Sequence, residues 1–284
     1  MMRGTRRDTW VRGVRLSSYE VGRADGDVIV VVPGLCVSSY LWPACDALAG
    51  EGFRVELVEP PGWPRSEPPT PEPTELAGLA EWLAAWLELR RLTDVLLIGQ
   101  SVGCQLAAHL AALAPHRVRA VLMQGPVFDP AYRTVPRGLG RWALDLPREH
   151  PTLAAREVPE WLTVGPRRVA RVLRQSQRDR LEDTVAMLDI PVRVVVGEHD
   201  PLSQLPWQHS LSRPAGPPVV MAGLPHSAPH AAPARFARLV ATGFGPCDAG
   251  HTPTAGVTVG RPSTEGHGRS DMRAGQDSAK PPCR

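Results

Sequence analysis

The chain has 284 residues, of which 43% are hydrophobic and 21% charged, with a formal net charge of +3. This size suits one α/β domain with an insertion, or at most two small domains. The charge is too weak to point to nucleic acid, and no apolar run reaches the roughly 18 residues that a membrane span needs. Neither nucleic acid nor a membrane is therefore an expected partner. The first residues, MMRGTRRDTWVRGVRL, are basic but lack the apolar stretch of a secretory signal, so a cytoplasmic location is the expectation. Arginine carries almost all the positive charge, since Lys280 is the only lysine. The five cysteines are an odd number with no CxxC or Cys/His spacing. Reduced thiols fit this better than a zinc site or a disulfide framework.

In chain order, Val11 to Val21 predicts one or two antiparallel strands at a sheet edge. Asp27 to Val32 (DVIVVV) is a short β-branched run that reads as a strand buried on both faces. Ser39 to Ala49 reads as a helix. Arg54 to Val58 is the next strand, followed by a helix over Thr74 to Arg91. In that helix Thr74 is the expected N-cap, and Leu76, Leu79, Trp82/Leu83 and Trp86/Leu87 share one face. Asp94 to Ile98, Val118 to Met123, Val192 to Val196 and Pro218 to Met221 are further strands. Helices are expected over Val102 to Ala114 and Pro233 to Thr242. Apolar strands alternating with helices predict a mostly parallel, doubly wound α/β sheet. In such sheets chemistry collects at the C-terminal ends of the strands.

Two segments break the alternation. Residues 127–189 have no clear strand and hold helix-like pieces rich in Arg and Trp, broken by several prolines, as expected of an inserted helical cap. Residues 244–284 are rich in Gly, Pro, Ser, Thr and Asp and poor in large apolar side chains, and read as a disordered tail. The expected organisation is thus a core in two parts, 1–126 and 190–243, with the cap between them and the tail after.

Gly99-Gln100-Ser101-Val102-Gly103 is a G-x-S-x-G match with a strand before it and a helix after it. Such a turn lifts a serine Oγ clear of the sheet. The helix start then offers the Val102 N–H to a developing oxyanion. A serine needs a base, and the base an orienting group. Glu198-His199-Asp200 follows one later strand, and His226 and His230 follow the next. Ser101, Asp200 and His226 run in the Ser, acid, His order of one serine-hydrolase architecture.

On these motifs the sequence resembles the α/β-hydrolase fold family over about residues 14 to 243. The likeness includes VIVVVPGLCVSS, EPPGWPRSEPP, the Ser101 turn, IPVRVVVGEHDPL and GLPHSAPHAAPARF. The resemblance implies that Asp200 is the acid in place of Glu198. It implies that His226, seven residues before Pro233, is the base. It leaves His230 to the pocket or surface and His199 to packing or solvent. It also implies that the Leu35 backbone N–H is the second oxyanion donor, with Pro33 where the family often has a histidine that braces the loop. Glu59 to Ser66 stands where the family has a structural Asp-x-Pro-Gly-x-Gly-x-Ser loop. Cys104 reads as a small packed residue and not a rival nucleophile.

The implied activity is that of a serine hydrolase forming a covalent acyl-enzyme on a small carboxylic ester, with no metal and no cofactor. A C–C bond hydrolase of dienoate ring-cleavage products and a non-catalytic binding protein on the same fold are the alternatives. In the cap, Trp142 and Trp161, with Leu139 and Leu162, are candidates for an apolar lid. Arg141, with Arg133, Arg137 and Arg148, is a candidate contact for an anionic substrate.

Overall fold

In the computed structural model the described residues are 4–244, apart from 203 and 213–215. The sheet has eight strands: β1 (Thr5–Val11), β2 (Val14–Gly22), β3 (Val28–Val32), β4 (Arg54–Val58), β5 (Val95–Gln100), β6 (Val118–Gln124), β7 (Val192–Gly197) and β8 (Val219–Met221). Their spatial order is β1-β2-β4-β3-β5-β6-β7-β8. The β1/β2 and β2/β4 pairs are antiparallel, and all later pairs are parallel.

Among the described residues ten α-helices accompany the sheet: α1 (Trp42–Gly50), α2 (Leu76–Leu89), α3 (Val102–Leu113), α4 (Val135–Asp145), α5 (Thr152–Val164), α6 (Pro166–Arg178), α7 (Leu181–Ala186), α8 (Leu205–Leu211), α9 (Ala228–Ala231) and α10 (Pro233–Phe244). Alternate side chains of each central strand enter opposite layers. Val30, Val32, Leu97 and Val121 pack under α2 and α3, whereas Ile29, Val31, Leu96 and Ile98 pack under α1 and α10. Full burial of each such side chain contributes about 1.5–3 kcal/mol, and this two-sided core fixes the strand ends on which the site stands.

Three expectations need correction. Helix α2 starts at Leu76, because Glu75 is extended (φ −133°, ψ 157°) and takes the N-cap place without a side-chain bond; Thr74 is not the cap. The edge hairpin starts at Thr5, ahead of Val11. Helix α10 runs through Phe244, whose ring lies under the Arg193 guanidinium, so the first residue of the expected tail is helical. The rest of that tail lies outside the described residues. Four helices, α4 to α7, fill the chain between β6 and β7. Among the described residues no helix is long and apolar enough to cross a membrane.

Candidate active site

Strand β5 delivers Ser101 into a backbone conformation that non-glycine residues rarely adopt, φ 55° and ψ −122°. Strain of this kind costs on the order of 1–3 kcal/mol and persists only where its surroundings over-determine it. Here the Ser101 N–H donates to the Gln124 carbonyl at 3.0 Å, and the Cys104 N–H donates to the Ser101 carbonyl at 3.0 Å. The turn is also packed too closely for side chains. A Cβ on Gly103 would fall 2.1 Å from the Val32 carbonyl oxygen, and one on Gly99 would fall 2.6 Å from the Cys104 Cα. Cys104 is fully buried, with Sγ against the Gly99 and Gln124 carbonyls, and burial pushes its thiol well up. It therefore packs and does not compete as a nucleophile.

The loops after β7 and β8 bring Asp200 and His226 together. His226 Nδ1 lies 2.8 Å from Asp200 Oδ2, while Asp200 Oδ1 accepts the Leu202 N–H at 2.8 Å. Gln124, at the end of β6, donates from Nε2 to the His226 carbonyl at 2.8 Å. Gly125 passes so near the pair that a Cβ there would lie 2.8 Å from His226 Nδ1. The carboxylate assigns the Nδ1 proton, which leaves Nε2 as the acceptor of the neutral ring. That Nε2 is buried and has no hydrogen-bond partner. Burial alone would lower the imidazole pKa. The Asp200 charge, its hydrogen bond, and then Asp145 and Glu149 outweigh burial and push His226 up to about 9.

The neighbouring candidates are placed elsewhere. Glu198 accepts the Gly223 N–H at 2.7 Å on the surface, and His199 is exposed. His230 is neither pocket nor surface. It is 8% exposed, on α9, with Nδ1 on the Tyr40 carbonyl and Nε2 on the Thr152 hydroxyl.

Leu35 and Val102 line the same cavity as Ser101 and His226. The loop that carries Leu35 has no histidine brace, yet it is tied down by other donors. Trp63 Nε1 donates to the Gly34 carbonyl at 2.9 Å, and Trp161 Nε1 donates to the Leu35 carbonyl at 2.8 Å. The Gly34 N–H donates to the Tyr40 hydroxyl, which itself donates to Gln100 Oε1. Further along, the Ser38 and Ser39 N–H groups donate to Glu160 on α5. Arg65 joins Glu160 to Glu59 with ion pairs of 2.7 and 2.6 Å, so the Glu59 loop fastens α5 to the sheet as well as shaping the turn.

The cavity has a volume of about 420 Å³, within the range of small-ligand pockets. Trp142, Trp161, Leu139 and Arg141 line it, together with Phe128 and Leu153. Leu162 does not; it is 75% exposed on the outer face of α5. Arg141 lies over the Tyr132 ring, 3.9 Å from its centroid. The other arginine candidates are engaged away from the cavity. Arg133 pairs with Glu182 at 2.7 Å, Arg137 reaches the Ala131 carbonyl, and Arg148 the Leu144 carbonyl.

Acidic side chains that sequence reasoning passed over take their place. Asp145, Glu149 and Glu157 all line the cavity. Burial, with Glu149 and Asp200, outweighs the lowering effect of the His226 charge and raises Asp145 to about 7; burial and then Glu149 raise Glu157 to about 8. No signal in the sequence distinguishes these positions from a solvated helix face.

The family model described as alpha/beta hydrolase fold matches residues 27–218, more than half of the chain. The chain belongs to the alpha/beta hydrolase fold family. One hydrolase relative, a haloalkane dehalogenase of Mycolicibacterium paratuberculosis (strain ATCC BAA-968 / K-10), is 30% identical over 172 residues, 60% of this chain and 56% of that protein. The chain thus matches only about half of that relative's length. Among solved structures, a serine hydrolase involved in carbazole degradation shares the fold at a TM-score of 0.69 and 14% identity, covering 84% of this chain and 98% of that one. The esterase RhEst1 from Rhodococcus sp. ECU1013 does so at a TM-score of 0.65 and 20% identity, covering 85% and 98%. The protein therefore has the α/β-hydrolase sheet, with a cavity lined by Ser101 and His226 at the strand ends.

Proposed function

We propose that the protein is a serine hydrolase that cleaves a small carboxylic ester through an acyl-enzyme on Ser101. One observation carries this reading: the positive-φ Ser101 and the unpartnered, buried Nε2 of His226 face one cavity, with Asp200 on the far side of the imidazole.

In the proposed reaction His226 Nε2 takes the Ser101 proton as Oγ adds to the carbonyl carbon. The oxyanion is held by the Leu35 and Val102 N–H groups, aided by the positive end of α3. His226 then gives its proton to the leaving alkoxide, and the ester bond breaks. Water, deprotonated by the same nitrogen, hydrolyses the acyl-serine and restores Ser101. Asp200 holds the tautomer and offsets the charge of the imidazolium. In this reading residues 127–189 are a cap over a core made of 1–126 and 190–243. The buried free thiols Cys36, Cys45 and Cys104 favour a cytoplasmic location.

The dehalogenase reading suits Ser101 poorly. An alkyl group transferred to a serine oxygen forms an ether, which an activated water does not hydrolyse, whereas acyl transfer forms an ester that it does. The dienoate C–C hydrolase reading needs a cation for an anionic substrate; Arg141 lines the cavity but lies over the Tyr132 ring, and three acidic groups, Asp145, Glu149 and Glu157, share that cavity. A binding protein on this fold has no need for the strained serine and the oriented imidazole. The test is hydrolysis of short-chain 4-nitrophenyl esters by wild type and Ser101→Ala. Turnover by wild type that falls at least about 10³-fold in the variant supports the reading. Equal turnover by both proteins contradicts it.

A further inference from the structure

Three carboxylates that the proposed hydrolysis does not use enter the cavity from one side. Asp145 ends α4, Glu149 lies in the link to α5, and Glu157 is on α5. Asp145 is 4% exposed, its Oδ1 accepts from no donor, and its carboxyl lies against that of Glu149, which raises it. Glu149 Oε1 accepts the Ser227 N–H at 2.7 Å, but its Oε2 is buried without a partner. Glu157 makes no side-chain hydrogen bond or ion pair among the described residues. Unsatisfied buried acceptors are costly, and buried carboxylates are normally paired with a cation.

Apart from the His226 imidazole, whose charge Asp200 already offsets, the protein places no cation against them. Arg141 is the only arginine lining the cavity among the described residues, and it is stacked on Tyr132. Arg156, beside Glu157 in sequence, reaches the Ser39 carbonyl instead, and Arg65 is held by Glu59 and Glu160. The remaining walls include Phe128, Trp142 and Trp161, whose ring faces favour a cation and repel an anion.

We propose that Asp145, Glu149 and Glu157 form a cation subsite, and that the substrate is an ester or amide carrying a protonated amine near its scissile carbonyl. This rests on the reading of Ser101 as nucleophile. An ammonium in the subsite donates to the free oxygens of Asp145 and Glu149 and lies in the field of Glu157. The same carboxylates act on His226, so an ammonium beside them weakens the field that holds the imidazole protonated. Binding of the right substrate thereby frees the base that attacks it. The apolar walls take the rest of the molecule.

The test uses two isosteric probes, 2-phenylethylammonium and 2-phenylethanol, titrated calorimetrically against the full chain. Wild type and Ser101→Ala should both bind the ammonium at least about tenfold more tightly than the alcohol, as expected of a charge-assisted hydrogen bond. In Asp145→Asn/Glu157→Gln that ratio should fall to near one. Glu157→Gln alone, checked by thermal melting, serves if the double variant does not fold, and should at least halve the ratio. A ratio near one in wild type, no binding of either probe, or an unchanged ratio in the variants would overturn the subsite.

Because binding does not need Ser101, this outcome is separable from the hydrolase reading, which fails only if wild type lacks Ser101-dependent turnover. A kinetic arm compares phenyl alaninate with phenyl isobutyrate. A kcat/KM at least about tenfold higher for the alaninate supports the substrate class. Equal values would overturn it.

Discussion

Trp161 on α5 donates its indole N–H to the carbonyl oxygen of Leu35, 2.8 Å away, so a helix from between β6 and β7 holds the loop after β3 in place. The Leu35 N–H is the proposed oxyanion donor, and its aim depends on a side chain 126 residues further along the chain. The absence of a local histidine brace at Pro33 is thereby offset.

Trp161→Phe keeps most of the apolar contact and removes the donor. It should lower kcat about tenfold with little change in KM, well short of the roughly 10²–10³-fold that loss of an oxyanion donor costs. Steady-state kinetics on a neutral 4-nitrophenyl ester check this. A rise in KM alone would mean that Trp161 only lines the pocket.

The pH profile follows from His226. As a general base it must be neutral, and the free protein holds its imidazole up to about 9. On a neutral ester, kcat/KM should therefore rise with pH through neutrality and level off only near pH 9. Glu149→Gln removes one negative charge while keeping an oxygen for the Ser227 N–H. Less negative charge stabilises the imidazolium less, so the acidic limb should move to lower pH. A limb that stays in place would show that Glu149 does not act on the base.

Arg65 links two buried carboxylates, Glu59 on the sheet side and Glu160 on α5. Burial raises the Glu59 carboxyl even with Arg65 beside it. Arg65→Leu leaves both acids without their cation, and breaking such a pair destabilises more than the pair itself contributes. Chemical denaturation should show a loss of roughly 2 kcal/mol or more, discounted for the partial exposure of Arg65. A change within about 0.5 kcal/mol would mean that the two carboxylates take up protons at little cost.

Much of this molecule was legible before the structure. Strands β3 to β7 are short apolar β-branched runs because parallel strands covered on both faces have no polar side to display. The Ser101 turn was readable because strand, glycines and helix all agree on one local conformation. The strand ends narrowed the acid and base candidates to Glu198, Asp200, His199, His226 and His230, and the family resemblance singled out Asp200 and His226, which the structure brings within 2.8 Å of each other. Strand β1 was less visible because TRRDTWV is an exposed edge held mainly by backbone pairing with β2. The acidic lining was invisible for another reason. Asp145 and Glu157 sit near arginines on amphipathic helices and Glu149 in the link between those helices, and only the packing of these elements decides which charges turn inward. The same packing turned Arg133, Arg137 and Arg148 away from the cavity.

The most direct test of the central claim is covalent. Wild-type protein treated with a fluorophosphonate should gain one phosphonyl group, located on the Ser101 peptide by mass spectrometry, and Ser101→Ala should gain none. An unlabelled wild type, or a Ser101→Ala protein labelled to the same extent, would contradict the account of Ser101 as the nucleophile.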